Sequence, residues 1–63
     1  MITQEIQAAI TAGAYLSSCN RRNATPGYDD LYDYLAIDWP AFEARFPEIG
    51  GDAAIEMVYA EFA

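Results

Sequence analysis

Apolar residues recur at intervals of three and four positions in every segment of this 63-residue chain. That spacing places them on one face of an α-helix. Nowhere do apolar and polar residues alternate for long enough to predict a β-strand. The periodicity therefore predicts an all-α fold, a compact single-domain bundle of three to four short helices that comprises residues 1–63.

The first predicted helix begins after Thr3, a residue type that caps helices well. Gly13 predicts either a close-packing position or an early stop, which leaves the end of this helix open between residues 12 and 18. The polar stretch Ser17–Gly27 is predicted to be the longest loop. The apolar face of the helix is predicted to consist of Ile2, Ile6, Ala9, Ile10 and Gly13.

The second helix is predicted to open at Thr25, with Pro26 in its first position, because proline there pre-sets the backbone without losing a useful donor. Its apolar residues lie at i, i+3, i+4 and i+7, which predicts one buried stripe. They are Tyr28, Leu31, Tyr32 and Leu35.

Two shorter helices are predicted to follow. Asp38 is expected to cap the third helix, whose buried face would hold Trp39, Phe42 and Phe46 and which Pro47 would end. Gly50 and Gly51 predict a turn, after which Asp52 would cap the fourth helix. The buried face of that helix is predicted to be Ile55, Val58, Tyr59 and Phe62.

The composition favours a folded domain over a disordered acidic chain. The sequence is 54% hydrophobic and includes three Phe, five Tyr and one Trp, which disordered acidic segments lack. Cys19 is the single cysteine and cannot form an internal disulfide, so we expect a reducing, cytoplasmic setting. The first residues do not resemble a signal peptide, and no apolar run approaches the roughly 20 residues of a membrane span.

The inventory of charged groups is lopsided. There are ten Asp and Glu residues, three Arg, and neither Lys nor His, which gives a formal net charge of −7. Such a surface attracts basic partners and repels both nucleic acid and anionic membranes. Direct nucleic-acid binding needs several basic phosphate contacts, and Arg21 and Arg22 are the only two basic residues close together. We therefore expect neither nucleic acid nor membrane as a direct partner.

Catalytic and metal-binding chemistry find little support. Without His or Lys, the usual general bases and Schiff-base nucleophiles are missing, and Cys19 has no base beside it. The stretch from Asp29 to Asp33 matches the DDxxD pattern of enzymes that bind magnesium diphosphate, but it lacks a second acidic motif and basic groups for the diphosphate. We therefore predict a protein that is not an enzyme and that has no metal or cofactor.

Half of the acids have an ordinary structural explanation, because a carboxylate near a helix N-terminus is favourable by about 0.3–1 kcal/mol. These are Glu5, Asp29, Asp30, Asp38 and Asp52. The others lie within helices, late in helices or in turns, with almost no basic residue nearby. These are Asp33, Glu43, Glu48, Glu56 and Glu61.

The spacing of the acids works against helix stability. Asp29 and Asp33, like Asp52 and Glu56, are like charges four residues apart, and each such pair costs a few tenths of a kcal/mol. Arg45 is three residues from Glu48 and is predicted to form the one local ion pair. Stability alone therefore does not explain the composition of this surface, and we interpret the excess of acids as serving a binding function.

Two helices carry the predicted contact residues. On the second, Asp29, Asp30 and Asp33 are predicted to lie opposite the apolar stripe, flanked by Tyr34, at a spacing close to that of phosphates along a strand. On the fourth, Met57 is predicted to be exposed among carboxylates as an adaptable anchor. The full predicted partner-binding set is Asp29, Asp30, Asp33, Tyr34, Asp38, Glu43, Glu48, Asp52, Glu56, Met57 and Glu61.

Several functions fit these features. In charge, size and predicted architecture the chain resembles the small acidic inhibitors that bacterial viruses use against CRISPR or restriction systems, with a basic nucleic-acid-binding protein as partner. Alternatives are a small helical adaptor that binds through exposed apolar residues, an adaptation to a salty cytoplasm, and a carboxylate enzyme or metal protein. A second copy of the chain is also a candidate partner, because the predicted core is small.

Overall fold

The computed structural model describes residues 2–63, and these form four helices without a strand. The helices are α1 (Gln4–Arg22), α2 (Tyr28–Ala36), α3 (Trp39–Ala44) and α4 (Gly50–Ala60). The prediction of a compact all-α bundle is confirmed.

Helix α1 is longer than the sequence predicted. Its start is as expected, because the Thr3 hydroxyl accepts a hydrogen bond from the Ile6 N–H at 3.2 Å. It continues through Gly13 to Arg22 and ends at Asn23, whose φ of 56° is left-handed. The predicted end between residues 12 and 18, and the loop over Ser17–Gly27, were therefore wrong. Arg21 and Arg22 favour the longer helix, since positive charge in the last turn complements the helix dipole.

The buried face of α1 is not the predicted one. Ile2, Ile6 and Ile10 are 59%, 51% and 52% exposed. The opposite face is buried, and it consists of Ala8, Thr11, Ala12, Tyr15, Ser18 and Cys19. Small side chains on this face allow close approach to α4, and the Thr11 hydroxyl is satisfied by donating to the Gln7 carbonyl at 2.9 Å.

Helix α2 begins at Tyr28, with Gly27 as its N-cap, so the predicted opening at Thr25 and Pro26 was wrong. Leu31 and Leu35 are buried as predicted. Tyr28 and Tyr32, from the same predicted stripe, are instead exposed. The outer part of that stripe therefore remains available at the surface.

Helices α3 and α4 meet closely through Trp39 and Gly51. A Cβ atom on Gly51 would lie 2.5 Å from Cζ2 of Trp39, so glycine is required for this approach. Asp38 caps α3 as predicted by accepting from the Ala41 N–H at 3.4 Å. Asp52 lies inside the first turn of α4 and does not cap it, because Gly50 (φ 77°) already begins the helix.

Helix α4 contacts each of the other three helices and forms the centre of the bundle. Ile55 and Val58 are buried as predicted, whereas Tyr59 and Phe62 are partly buried at the margin. Phe42 and Phe46 complete the core on the α3 side, with their rings 5.3 Å apart. This packing fixes the directions in which α2 and α4 present their polar residues.

Candidate interaction surface

Most of the predicted contact acids lie at the surface. Eight carboxylates of the set are exposed: Asp29, Asp33, Asp38, Glu43, Glu48, Asp52, Glu56 and Glu61. They are distributed over α2, α3, α4 and the adjoining turns. Some of these carboxylates accept hydrogen bonds from other parts of the fold, and the others do not.

The first group of unengaged acids lies on α2. Asp29 and Asp33 are exposed and separated by one helical turn, which corresponds to roughly 5–6 Å between their Cβ atoms. Neither receives a hydrogen bond or an ion pair from any residue between 2 and 63. We call this pair the α2 row.

A second pair of acids, Asp52 and Glu56, lies one turn apart on α4, and we call it the α4 row. Both carboxylates act on Tyr28 at the start of α2. The pKa of Tyr28 is raised, first by partial burial and then by the negative charge of Glu56, with a smaller contribution from Asp52. The α4 row therefore faces the N-terminal end of α2.

Aromatic rings occupy the seam between α2 and its neighbours. The Tyr28 ring packs edge-on against Tyr59 of α4, with the ring centroids 5.4 Å apart. The Tyr32 ring lies 5.5 Å from Trp39 of α3. The sequence assigned Tyr28 and Tyr32 to the core. In the sequence, each of these tyrosines stands directly before an aspartate, Asp29 or Asp33, and this pattern indicated that they lie at the surface.

Three exposed acids make hydrogen bonds that support the fold. Asp38 caps α3, as described above. Glu43 accepts from the Gly51 N–H at 3.3 Å and so links α3 to α4. Glu48 accepts from the side-chain amide of Gln4 at 3.0 Å. The predicted ion pair between Glu48 and Arg45 does not form within residues 2–63.

Two predicted contact residues are less available than expected. Met57 is partly buried and packs against the core, so its predicted exposure was wrong. The reason is that α4 has neighbours on three sides, which cover a wide arc of its surface. Tyr34 is also partly buried, with its ring 5.3 Å from that of Tyr15. Glu61 lies in the exposed turn after α4.

Asp30 differs from its neighbours because it is engaged with α1. The Arg22 guanidinium forms a two-point contact with its carboxylate, at 3.1 Å and 3.4 Å. The Tyr15 hydroxyl donates to the same carboxylate at 2.7 Å. This is the one ion pair between residues 2 and 63. The prediction that Asp30 faces outward with Asp29 and Asp33 was therefore wrong, and its role in partner binding stays a prediction.

Further contacts surround Asp30 and make a polar cluster between α1 and α2. The Tyr15 hydroxyl accepts from the Gly27 N–H at 3.2 Å, and Arg22 donates to the Ser18 hydroxyl at 3.1 Å. The Cys19 Sγ lies 3.7 Å from the Asp30 carboxylate. We call this cluster the Asp30 clasp; its members are Tyr15, Ser18, Cys19, Arg22, Gly27 and Asp30.

The clasp shifts the pKa values of two of its members in opposite directions. The hydrogen bond from Arg22, followed by that from Tyr15, lowers the pKa of Asp30. Burial is the main cause that raises the pKa of Tyr15, and hydrogen bonding with Cys19 and Asp30 adds to it. The clasp therefore favours an ionised carboxylate and a neutral phenol. Sequence reasoning missed it, because contacts between helices are not visible in the pattern of either helix.

The acidic stretch of α2 is not arranged as a metal centre. Within residues 2–63, no three Asp, Glu or Cys side chains are grouped so that they could hold a metal ion. Asp30 is turned toward α1, whereas Asp29 and Asp33 lie on the outer side of α2. None of the four helices is long and apolar enough to cross a membrane.

No protein-family model matches this chain, and no curated protein or solved structure is significantly similar to it.

Proposed function

We propose that this is a non-enzymatic interaction protein that occupies the basic nucleic-acid-binding site of a partner by presenting carboxylates in place of phosphates. The setting we propose is the cytoplasm of a host cell, with the chain acting as a phage-encoded inhibitor of a CRISPR or restriction complex. One observation carries the proposal. Of the ten acids in the chain, nine have no ion pair within residues 2–63.

The geometry of the two rows supports phosphate imitation. In each row the carboxylates lie one helical turn apart, roughly 5–6 Å, which is similar to the roughly 6–7 Å between successive phosphates of a strand. The rows lie on α2 and α4, which pack against each other. A packed helical scaffold holds such groups in fixed relative positions, so little ordering is needed when a partner binds.

The energetics point the same way. Each row is a like-charge pair whose repulsion costs the folded chain a few tenths of a kcal/mol. Asp29 and Asp52 lie in the first turns of their helices, where a carboxylate is favourable, but Asp33 has no such position and no hydrogen bond or ion pair within residues 2–63. A partner with a cationic groove would relieve this repulsion. Electrostatic attraction of this kind also speeds association, and it weakens as salt concentration rises.

A second candidate function is a small acidic adaptor that binds a protein through apolar residues. The observation in its favour is the exposure of large aliphatic side chains. Ile37, between α2 and α3, is 84% exposed, and Ile6 and Ile10 of α1 are exposed, as is Ile2 just before it. In this alternative the acids would serve solubility alone.

The test is affinity capture of the partner from a host lysate by the tagged full-length chain, with and without competing duplex DNA. We expect recovery of a basic nucleic-acid-binding protein that the DNA displaces. Recovery of a partner that DNA does not displace would contradict the proposal and support the adaptor.

Matched variants separate local geometry from total charge. The double variant Asp29→Asn with Asp33→Asn and the single variant Glu5→Lys each change the formal net charge of −7 by two. We expect the double variant to weaken capture at least about tenfold, or roughly 1.4 kcal/mol, and Glu5→Lys to have little effect. Equal losses would show that only net charge matters, and no loss in either would overturn the proposal.

A further inference from the structure

The outer face of α1 carries an apolar stripe that no described residue covers. Its large members are Ile6 and Ile10 of the helix and Ile2 just before it, and all three are exposed. Small side chains alternate with them on the same face. A Cβ atom on Gly13 would meet nothing within 4 Å, so the helix backbone itself is accessible there. We call this surface the α1 stripe: Ile2, Ile6, Ala9, Ile10, Gly13 and Ser17.

The α1 stripe is the least acidic part of the molecule. Of the ten carboxylates, Glu5 alone belongs to α1. The other nine lie on α2, α3, α4 and the turns beside them, so a basic partner is drawn there and gains no ion pair on the stripe. A second copy of this chain, by contrast, is repelled by the acidic rows and can approach without facing them only at a surface such as this one.

The side chains of the stripe are complementary to themselves. If two α1 helices cross antiparallel at a point between Ala9 and Ile10, positions equally distant from that point face each other. Ile10 then lies opposite Ala9 of the other copy. Ile6 lies opposite Gly13, whereas Ile2 precedes the helix and has no position in this register. Each large residue of the helix therefore meets a small one, which is the arrangement that packs well, and two-fold symmetry makes every contact twice.

The charges at the ends of α1 favour the same orientation. The N-terminal end has Glu5 and also Glu48, which Gln4 holds at 3.0 Å. Both acids line a groove at this end together with one basic residue, Arg45, so the end is acidic on balance. At the C-terminal end Arg21 is exposed. An antiparallel pair brings the basic end of each helix toward the acidic end of the other.

We propose that a second copy of the chain covers the α1 stripe, forming an antiparallel α1–α1 dimer. One helix face is smaller than the roughly 800 Å² per partner of a standard interface, so we expect a dissociation constant on the order of 10 µM. Because α1 packs on α4 through its opposite face, the dimer leaves the α2 row and the α4 row free. This inference is therefore independent of the proposed function.

Sedimentation velocity over a range of protein concentrations tests the dimer. The wild-type chain should pass from monomer to dimer as the concentration rises to about 500 µM. Ile6→Gln combined with Ile10→Gln, and separately Gly13→Leu, should weaken the dimer at least about tenfold. Helicity should not fall, since these positions are exposed and both glutamine and leucine are good helix formers. Ile37→Gln is the matched control and should dimerise like wild type. A wild-type chain that stays monomeric, or equal weakening by Ile37→Gln, would overturn the proposal.

Disulfide trapping tests the orientation. The Ala9→Cys variant should cross-link to itself under mild oxidation, because position 9 lies next to the two-fold axis. Ser17→Cys should not, because position 17 lies about two helical turns from the axis. The wild-type chain is the control, since its Cys19 is buried. Equal cross-linking by both variants, or by neither, would overturn the antiparallel arrangement. Added salt should strengthen this dimer by screening repulsion, whereas it should weaken partner capture.

Discussion

Helix α2 carries three aspartates, Asp29, Asp30 and Asp33, in two different environments. Asp30 binds Arg22 and Tyr15 of α1, and its pKa is lowered by those contacts. Asp29 and Asp33 lie on the outer side of the same helix and have no ion pair within residues 2–63. Because an α-helix turns by about 100° per residue, the side chain of Asp30 points in a different direction from those of Asp29 and Asp33.

This difference shows which carboxylates the fold needs. Asp30 joins two helices and satisfies a phenol that is fully buried. The α2 row makes no such contact and carries a repulsion that the fold could avoid. We infer that Asp30 contributes mainly to stability and that Asp29 and Asp33 contribute mainly to binding, which the following variants can break or sharpen.

The largest effect is expected from Asp30→Ala. This change removes the acceptor for Tyr15 and Arg22 and leaves a buried hydroxyl without its strongest partner, which destabilises a fold. Urea unfolding followed by circular dichroism should show a clear loss of stability. Asp29→Ala, one residue away, is the control and should change stability little. Equal effects of the two changes would remove the distinction between them.

Tyr15→Phe tests the clasp from the α1 side. The ring and its packing remain, but Asp30 and the Gly27 N–H lose the hydroxyl. We expect a loss of about 1–3 kcal/mol in the free energy of unfolding. Tyr32→Phe, at an exposed tyrosine, should stay within about 0.5 kcal/mol of wild type. The clasp would be energetically unimportant if the two variants unfolded at the same urea concentration.

The pH dependence should show both ends of the clasp. Because the pKa of Asp30 is lowered in the fold, its contribution is complete above about pH 4 and is lost as pH falls further. The destabilisation caused by Asp30→Asn should therefore shrink below about pH 4.

Because the pKa of Tyr15 is raised, its contribution is complete below about pH 10 and is lost as pH rises. The penalty of Tyr15→Phe should shrink above about pH 10. Penalties that do not vary with pH would contradict both assignments.

The smallest effect on stability is expected from Asp33→Lys, and its sign should be opposite. The change turns a repulsive pair with Asp29 into an attractive one of favourable orientation, which should stabilise the fold by about 0.5 kcal/mol. Partner capture should nevertheless weaken. A thermal melt and a capture assay on the same sample would check this. A less stable variant would contradict the repulsion between Asp29 and Asp33, and undiminished capture would show that Asp33 is not a binding residue.

Much of the fold follows from local sequence. The caps at Thr3 and Asp38 and the buried pairs Leu31 with Leu35 and Ile55 with Val58 were predicted correctly, because each depends on spacing within one helix. These features also sufficed to predict an all-α bundle. Local rules determine where helices exist and which of their clearly amphipathic faces are buried.

The errors came from choices that depend on other helices. On α1 the isoleucines formed the stronger apolar pattern, yet the face that fits against α4 is the one with Ala8 and Ala12. The clasp could not be predicted because Tyr15 and Asp30 are brought together by packing. The predicted exposure of Met57 failed for the same reason. The exposed acids were predicted more reliably, since most carboxylates without a basic neighbour remain in water.

The close contact between Trp39 and Gly51 has a practical consequence. Trp39 is the single tryptophan of the chain, and its ring lies between α4 and the exposed Tyr32. Its indole emission should therefore change when α3 separates from α4, and also when a macromolecule settles over the neighbouring tyrosines. The unlabelled protein thus contains an intrinsic fluorophore that can follow both unfolding and complex formation.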